Sequence, residues 1–245
     1  MKYESIDSKL FIKNRANFSR EMKKNSIAFF NSNDIYPVSA DSTLPFEQHR
    51  DIFYLSGIDQ EESILVLCPD NPNPDLREIL FLKETNDHIA VWEGPKINKT
   101  QALEISGIKT VFWLKDLEKL VDKLVSTCHN IYFNKNEHYR AKIETETREA
   151  RFNIWLEKKY PKKNKERSNP ILQRLRSIKD HKEISLIQQA CDITNKGFRR
   201  ILGFVKPGVW EYEIEAEFIH EFLINRSKKF AYTPIIASGN NANIL

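Results

Sequence analysis

The chain has 245 residues, which is enough for one large domain or two ordinary ones. Its 40% hydrophobic content, with 15 Phe, 8 Tyr and 4 Trp, suffices for a packed core. A formal net charge of +4 gives no support to a nucleic-acid partner, and no run approaches the roughly 18 apolar residues of a membrane helix. The start of the chain lacks an apolar signal core, and the three cysteines, Cys68, Cys128 and Cys191, form no CxxC pair, so we expect a cytoplasmic protein with reduced thiols. No nucleic-acid or membrane partner is expected.

The first two thirds of the chain alternate predicted helices and strands. An amphipathic helix over 7–24 precedes a strand over 26–31, and four short runs are then predicted as strands: "DIFYLSGI", "ESILVLC", "EILFLK" and "HIAVWEG". A helix ending at Gly107, the strand "TVFWL", the helix "KDLEKLVDKLVST", the strand "NIYFN" and a long charged helix over 137–159 follow. Because several strands are consecutive, the pattern predicts a mixed sheet covered by helices.

The last third has a different organisation. The basic, proline-broken segment 156–170 is predicted as a linker rather than a nucleic-acid patch, since few aromatic residues are interleaved. A capping box at Asp180 opens a helix expected to end at Gly203, and a second helix is expected over 211–226. The segments 232–237 and 242–245 are predicted as a hairpin. The expected domains are therefore 1–165 and 170–245, the second too small for a core of its own, and we expect a piece of a longer protein.

Motif chemistry alone predicts no catalytic or metal-ligating residue. His220 and Glu221 begin a zinc-protease motif, but Ile224 stands where its second histidine belongs. The chain has neither a glycine-rich phosphate loop nor a GxSxG motif. Two polar stretches remain, one from Asp41 to Asp51 and one around Trp92, and local sequence favours a charged turn and a half-buried aromatic residue.

The order of these pieces resembles the aminopeptidase P (Xaa-Pro aminopeptidase) family. "SADSTLPFEQHRDIFYLSGIDQEESILVLCPD" and "IAVWEGPK" are similar to its N-terminal domain, while "LRSIKDHKEISLIQQACDITNKGF" and "YTPIIASGNNANIL" are similar to the start of its metallopeptidase domain. The resemblance implies an α/β fold. A mixed-sheet N-terminal domain of ribonuclease H-like type would precede the first helices and hairpin of a pita-bread α+β domain.

The resemblance also implies an activity, a cofactor and partners. The family releases the N-terminal residue from peptides with proline in second position, through a dinuclear site that typically holds two manganese ions. Its metal ligands follow the segment matched here, so we expect no metal on this chain and no activity from it alone. A homo-oligomer formed through the N-terminal domain is expected.

Residue by residue, the resemblance implies three substrate-binding positions. Asp41 matches a loop aspartate, and Trp92 a tryptophan that covers the active-site mouth, both reaching a neighbouring subunit. Tyr232 matches a position lining the pocket for the first side chain of the substrate. A family arginine near the domain junction is left unassigned, because three candidates align poorly: Arg167, Arg174 and Arg176.

Two alternatives stay open at the level of sequence. A prolidase or creatinase-like relative shares the architecture. Some pita-bread proteins have lost the metal ligands and serve as peptide- or histone-binding modules. The downstream set of two Asp, one His and two Glu would separate these functions.

Overall fold

The structure, a computed structural model, describes residues 4–244 without the side chain of Asp87. The chain divides into two compact units, Ile6–Ile178 and the segment from Lys179 onward. The predicted functional domains, 1–165 and 170–245, stay a prediction. No helix in the described part of the chain combines the length and the apolar character needed to span a bilayer.

Fifteen elements build the first unit. In chain order they are α1 (Ser8–Glu21), β1 (Ser26–Asn31), β2 (Pro37–Ser39), β3 (Ser42–Thr43), α2 (Arg50–Ser56), β4 (Ile64–Leu67), β5 (Glu78–Leu82), α3 (Asp87–Glu93), α4 (Lys99–Ser106), β6 (Thr110–Trp113), α5 (Leu117–Ser126), β7 (Asn130–Phe133), α6 (Arg148–Lys159), β8 (Asn164–Arg167) and α7 (Asn169–Ser177).

Six of these strands form one mixed sheet in the order β6-β5-β4-β1-β7-β8. Strand β4 is antiparallel to both of its neighbours, whereas β6, β7 and β8 each run parallel to the strand beside them. The predicted mixed sheet is therefore confirmed. Strands β2 and β3 form a separate two-stranded hairpin.

The sheet buries an apolar cluster on each face, because successive side chains of a strand point to opposite sides. On β1, Ala28 and Phe30 belong to one cluster, while Ile27 and Phe29 belong to the other. Helices α1, α2, α4 and α7 add buried residues to the first cluster, and helices α5 and α6 add them to the second. The first unit is thus a sheet covered by helices on both faces.

Two segments predicted as strands are helices instead. In the run "DIFYLSGI", α2 is capped by His49, which accepts a hydrogen bond from the backbone N–H of Asp51, and it ends at Gly57 with φ +70°. In "HIAVWEG", Asn86 caps α3 in the same way. The aromatic and β-branched content that suggested strands was outweighed by capping side chains at the start and a left-handed glycine at the end of α2.

Two predictions between 137 and 170 were also wrong. Helix α6 begins only at Arg148, where Thr147 caps it, so 137–147 does not extend it. The predicted linker instead contains the end of α6 with the buried Leu156, strand β8 and the start of α7. Strand β8 has no apolar residue because it is an edge strand facing solvent, so composition could not reveal it.

The second unit contains α8 (His181–Phe204) and α9 (Glu211–Ile224). The predicted capping box of Asp180 is present, but α8 continues through Gly203 to Phe204. The predicted hairpin is wrong for the described residues: no strand lies within 225–238, and Gly239–Asn243 forms a 3₁₀ turn. β-Propensity alone makes no strand where no neighbouring strand pairs with it. Leu245, which closes the predicted hairpin, lies outside the described residues.

Candidate functional site

Asp41 lies in the two-residue turn of the β2–β3 hairpin. Ser39 pairs with Ser42 across this turn, and Ala40 takes a left-handed φ of 49°. Every residue of the two strands is exposed, as is Asp41. The hairpin therefore presents this carboxylate to solvent at the tip of a short projection.

Trp92 lies in the last turn of α3, and 82% of its surface is exposed. Val91, beside it, is 77% exposed. Two large apolar side chains are thus exposed next to each other in the last turn of α3. The expectation of a half-buried aromatic residue from local sequence is wrong.

Tyr232 belongs to the second unit, in the irregular segment after α9, and is 75% exposed. Nearby, Phe230 packs edge-on against Phe218 and in a tilted arrangement against Phe222. The aromatic cluster thus fixes the start of this segment, whereas the phenol of Tyr232 stays accessible.

A cleft of about 460 Å³ lies next to this segment in the second unit. Trp210, Tyr212 and Pro234 supply apolar walls. Glu211 accepts hydrogen bonds from the backbone N–H of Ser238 at 2.7 Å and from Asn241 Nδ2 at 3.2 Å. The Ser238 bond lowers the pKa of Glu211, so this carboxylate ties the 3₁₀ turn to the start of α9 as an anion.

Asp51 is the centre of a polar network. The local sequence indicated only a charged turn at this position. Its Oδ1 accepts from Arg176 Nη1 at 2.7 Å, and its Oδ2 accepts from Asn134 Nδ2 at 3.1 Å. His49 Nδ1 lies 3.7 Å from Asp51 Oδ2, and burial lowers the pKa of this imidazole. Of the three junction arginines considered from sequence, Arg176 is the one joined to this network. Arg176 and Asp51 are 125 residues apart in the chain, so no local motif could predict that they pair.

Glu149 lies deeper in the same region, at the carboxyl ends of the parallel strands β1 and β7. Its two carboxylate oxygens accept from Asn31 Nδ2 at 2.9 Å and from the Asn31 backbone N–H at 3.1 Å. Burial raises the pKa of Glu149 to about 7, although the hydrogen bonds from Asn31 favour the ionised form. The amide oxygens of Asn31 and Asn134 are buried beside it without a hydrogen-bond partner. This carboxyl group can therefore exchange a proton near neutrality.

The donor set of the described residues does not fit a dinuclear metal centre. No group of three or more His, Cys, Asp or Glu within the described part of the chain is placed to hold a metal ion. On α9, Glu217 pairs with Arg200, and Glu221 lies 3.8 Å from the same guanidinium. These helix carboxylates serve an ion-pair network between α8 and α9, so we derive no metal-dependent step from this chain.

The three sequence-predicted residues are all exposed. Asp41 and Trp92 belong to the first unit and Tyr232 to the second. Each residue is accessible on its own unit.

Two family models match the chain. The model "Aminopeptidase P, N-terminal domain" covers residues 11–132, and "Metallopeptidase family M24" covers residues 185–245. Human Xaa-Pro aminopeptidase 3 is 28% identical over 217 residues, which are 87% of this chain and 42% of the relative. Xaa-Pro aminopeptidase of Escherichia coli is 25% identical over 248 residues, which are 98% of this chain and 54% of the relative.

Solved structures match along nearly the whole chain. A Bacillus anthracis protein described as an aminopeptidase P superposes with a TM-score of 0.87 at 27% identity, covering 98% of this chain and 57% of that one. Pseudomonas aeruginosa aminopeptidase PepP gives 0.84 at 23% identity, which is evidence of a common fold. The chain spans about half the length of the curated relatives it matches. The N-terminal-domain model and the M24 model match successive parts of the chain, and the relatives that match most of its length are aminopeptidases P. The chain belongs to the aminopeptidase P family.

Proposed function

We propose that this chain supplies the N-terminal domain and the leading part of the M24 domain of an Xaa-Pro aminopeptidase. The observation that carries the proposal is the succession of two family matches, 11–132 and 185–245, along one chain. The reaction is the release of an N-terminal residue that precedes proline. The substrates are peptides with proline in second position.

The proposed substrate-binding residues are Asp41, Trp92 and Tyr232. Their exposure supports this assignment, because a residue that reaches into a neighbouring subunit must be accessible on its own domain. The carboxylate of Asp41 would pair with a cationic group of the substrate or partner. The indole of Trp92 would cover the mouth of the site and exclude water from it. The phenol of Tyr232 would line the pocket for the first side chain.

The proposed enzyme is a homo-oligomer of the cytoplasm that works with a pair of manganese ions. Among the described residues, no group of three or more His, Cys, Asp or Glu is placed to hold a metal ion, which supports a metal pair held elsewhere. We therefore assign the metal pair to the portion of the relatives that this chain does not match. On that basis the 245-residue chain by itself is expected to have no peptidase activity.

A chimera tests this proposal. Residues 1–245 would be joined to the portion of the Escherichia coli enzyme that follows the matched region, and the product assayed with manganese on an Xaa-Pro tripeptide and its Xaa-Ala counterpart. We expect release of the first residue from the Xaa-Pro peptide only. The 245-residue chain alone is the negative control.

Two results would contradict the proposal. A folded, metal-loaded chimera that cleaves neither peptide would favour a binding module. An Xaa-Pro dipeptide is assayed in parallel, and cleavage of the dipeptide without cleavage of the tripeptide would favour a prolidase.

A further inference from the structure

Helix α3 displays Trp92 without being anchored by apolar packing. None of its described side chains is buried, and neither of the two core clusters includes a residue of α3. Its first turn is capped by Asn86, which accepts from the backbone N–H of Ile89 at 2.9 Å. A seven-residue helix is too short to be stable by itself, so other contacts must hold it.

Those contacts are ionic and meet at Glu93, the residue after Trp92. Lys83 Nζ donates to Glu93 Oε2 at 2.9 Å, and Lys96 Nζ lies 3.6 Å from the same oxygen. Lys83 directly follows strand β5, whereas Lys96 lies two residues beyond Gly94. One carboxylate oxygen thus joins the end of α3 to the sheet and to the chain that leaves the helix.

Both lysines are in turn held by the segment before β4. Lys83 Nζ lies 3.5 Å from Glu62 Oε2, and Lys96 is hydrogen-bonded to Glu61. The side chains of Lys96 and Glu61 are only 13% and 10% exposed. Next to them, Gln60 Oε1 accepts from the backbone N–H of Ile97 at 2.6 Å. Lys96 therefore has a fixed position even without Glu93.

The ion pairs that Lys83 and Lys96 form with glutamates differ in their sensitivity to salt. Glu93 is 44% exposed, so mobile ions can screen its attraction to the two ammonium groups. The Lys96–Glu61 pair is shielded from solvent and is screened much less. Raising the ionic strength should therefore release Glu93 first and leave Lys96 in place.

We propose that Lys83 and Lys96 are positioning residues, which hold Glu93 and thereby fix the end of α3 that displays Trp92. Their catalytic relevance rests on the proposed function, in which Trp92 meets the substrate. The held state of α3 itself does not depend on that function. Release of Glu93 frees the helix end and lets the indole reorient.

The test compares two glutamates that each pair with lysine. Glu93→Gln removes the charge that holds α3. Glu84→Gln is the matched control, because Glu84 pairs with Lys115 at 2.8 Å, is 49% exposed and lies three residues before α3. Hydrogen exchange of the amides of 87–97 is measured in the 245-residue chain. The fluorine spectrum of protein labelled with 5-fluorotryptophan is recorded in parallel, with the Trp92 signal assigned from Trp92→Phe.

We expect Glu93→Gln to speed amide exchange across 87–97 about threefold to fivefold, which is the size of effect expected from the loss of two partly exposed ion pairs. The same variant should shift or narrow the fluorine signal of Trp92. Glu84→Gln should leave both unchanged. Sodium chloride at about 0.5 M should reproduce the effect in the unmodified chain, where the Debye length is only a few ångströms.

Equal exchange in the two variants, or an unmodified chain insensitive to salt, would overturn the proposal. The salt titration needs no variant, so it decides the question even if Glu93→Gln fails to fold. An inactive chimera would contradict the proposed function while leaving this exchange result intact.

Discussion

The two compact units differ in how completely they bury their apolar surface. In Ile6–Ile178, both faces of the sheet are closed by helices, and side chains such as Phe29 and Phe30 are fully buried. In the segment from Lys179 onward, α8 and α9 bury only Gly197 and Phe222. On α8, Leu202 is 75% exposed and Phe198 is 57% exposed. The first unit therefore has the core of an independent domain, while the second is a helix pair whose apolar stripe is only partly covered.

The largest effect should come from the core of the first unit. Phe30→Ala removes a fully buried ring that meets Phe18 edge-on at 5.3 Å, and it should lower the free energy of unfolding by about 3–5 kcal/mol. Urea denaturation followed by circular dichroism measures the loss. Phe198→Ala on α8 is the matched control, expected to leave the transition of the first unit in place. Equal losses in both variants would show that the second unit is part of the same core.

The buried Glu149 should make the first unit less stable as pH rises. Its folded pKa of about 7 exceeds its ordinary value of 4.5, so between these values the folded state keeps a proton that the unfolded state has released. The contribution is fully present below about pH 4.5 and is lost by about pH 7, a change of about 3 kcal/mol.

Glu149→Gln isolates this effect, because the amide stays neutral at every pH and adds a donor for the unpartnered oxygens of Asn31 and Asn134. Unfolding of the two proteins is compared at pH 5 and pH 7.5. The variant should gain stability relative to the unmodified chain at the higher pH. A difference between the two proteins that does not change with pH would contradict the account of Glu149.

A pair of glycines in α8 should separate packing from helix propensity. A Cβ on Gly197 would lie 2.8 Å from Phe218 Cδ1. The Phe218 ring cannot easily move away, because it packs against Phe198, Phe222 and Phe230. Gly197→Ala should therefore destabilise the helix pair by about 1 kcal/mol. Gly203 has open space around it. Gly203→Ala should therefore stabilise α8 by up to about 1 kcal/mol. Hydrogen exchange of the α8 amides checks both signs, and protection raised in both variants would refute the close contact at Gly197.

The smallest effect on stability should come from Trp92. With 82% of its surface exposed, Trp92→Ala should change the free energy of unfolding by no more than about 0.5 kcal/mol. In the chimera described above, the same change should lower turnover while metal content stays constant. Unchanged turnover on both short and long peptides would make Trp92 a surface aromatic residue without a role in the reaction.

Sequence patterns predicted the parts of the fold whose signals are local. Strands β1, β4, β5, β6 and β7 are runs of apolar residues, and the capping box of Asp180 marks the start of α8. Strand β8 was missed because "NKER" carries no apolar residue, and only its pairing with β7 makes it a strand. Helices α2 and α3 were mistaken for strands because seven residues are too few for a periodicity to be decisive.

The residues of the candidate site also divide into those that the sequence indicated and those that only long-range contacts reveal. Asp41, Trp92 and Tyr232 came from the family resemblance, and their exposure follows from elements that local sequence assigned poorly. The network around Asp51 and Glu149 could not be predicted, since its partners lie 83 to 125 residues apart in the chain. Contacts of that range depend on the sheet topology, which single-sequence patterns do not specify.

Unfolding of Ile6–Ile178 as a separate chain tests the difference between the two units most directly. The urea transition of this piece is compared with that of the 245-residue chain at the same pH and ionic strength. We expect one cooperative transition in the isolated piece. Its free energy of unfolding should lie within about 0.5 kcal/mol of that of the first unit in the whole chain. A piece that lacks a cooperative transition, or loses several kcal/mol, would contradict the claim that the first unit is an independent domain.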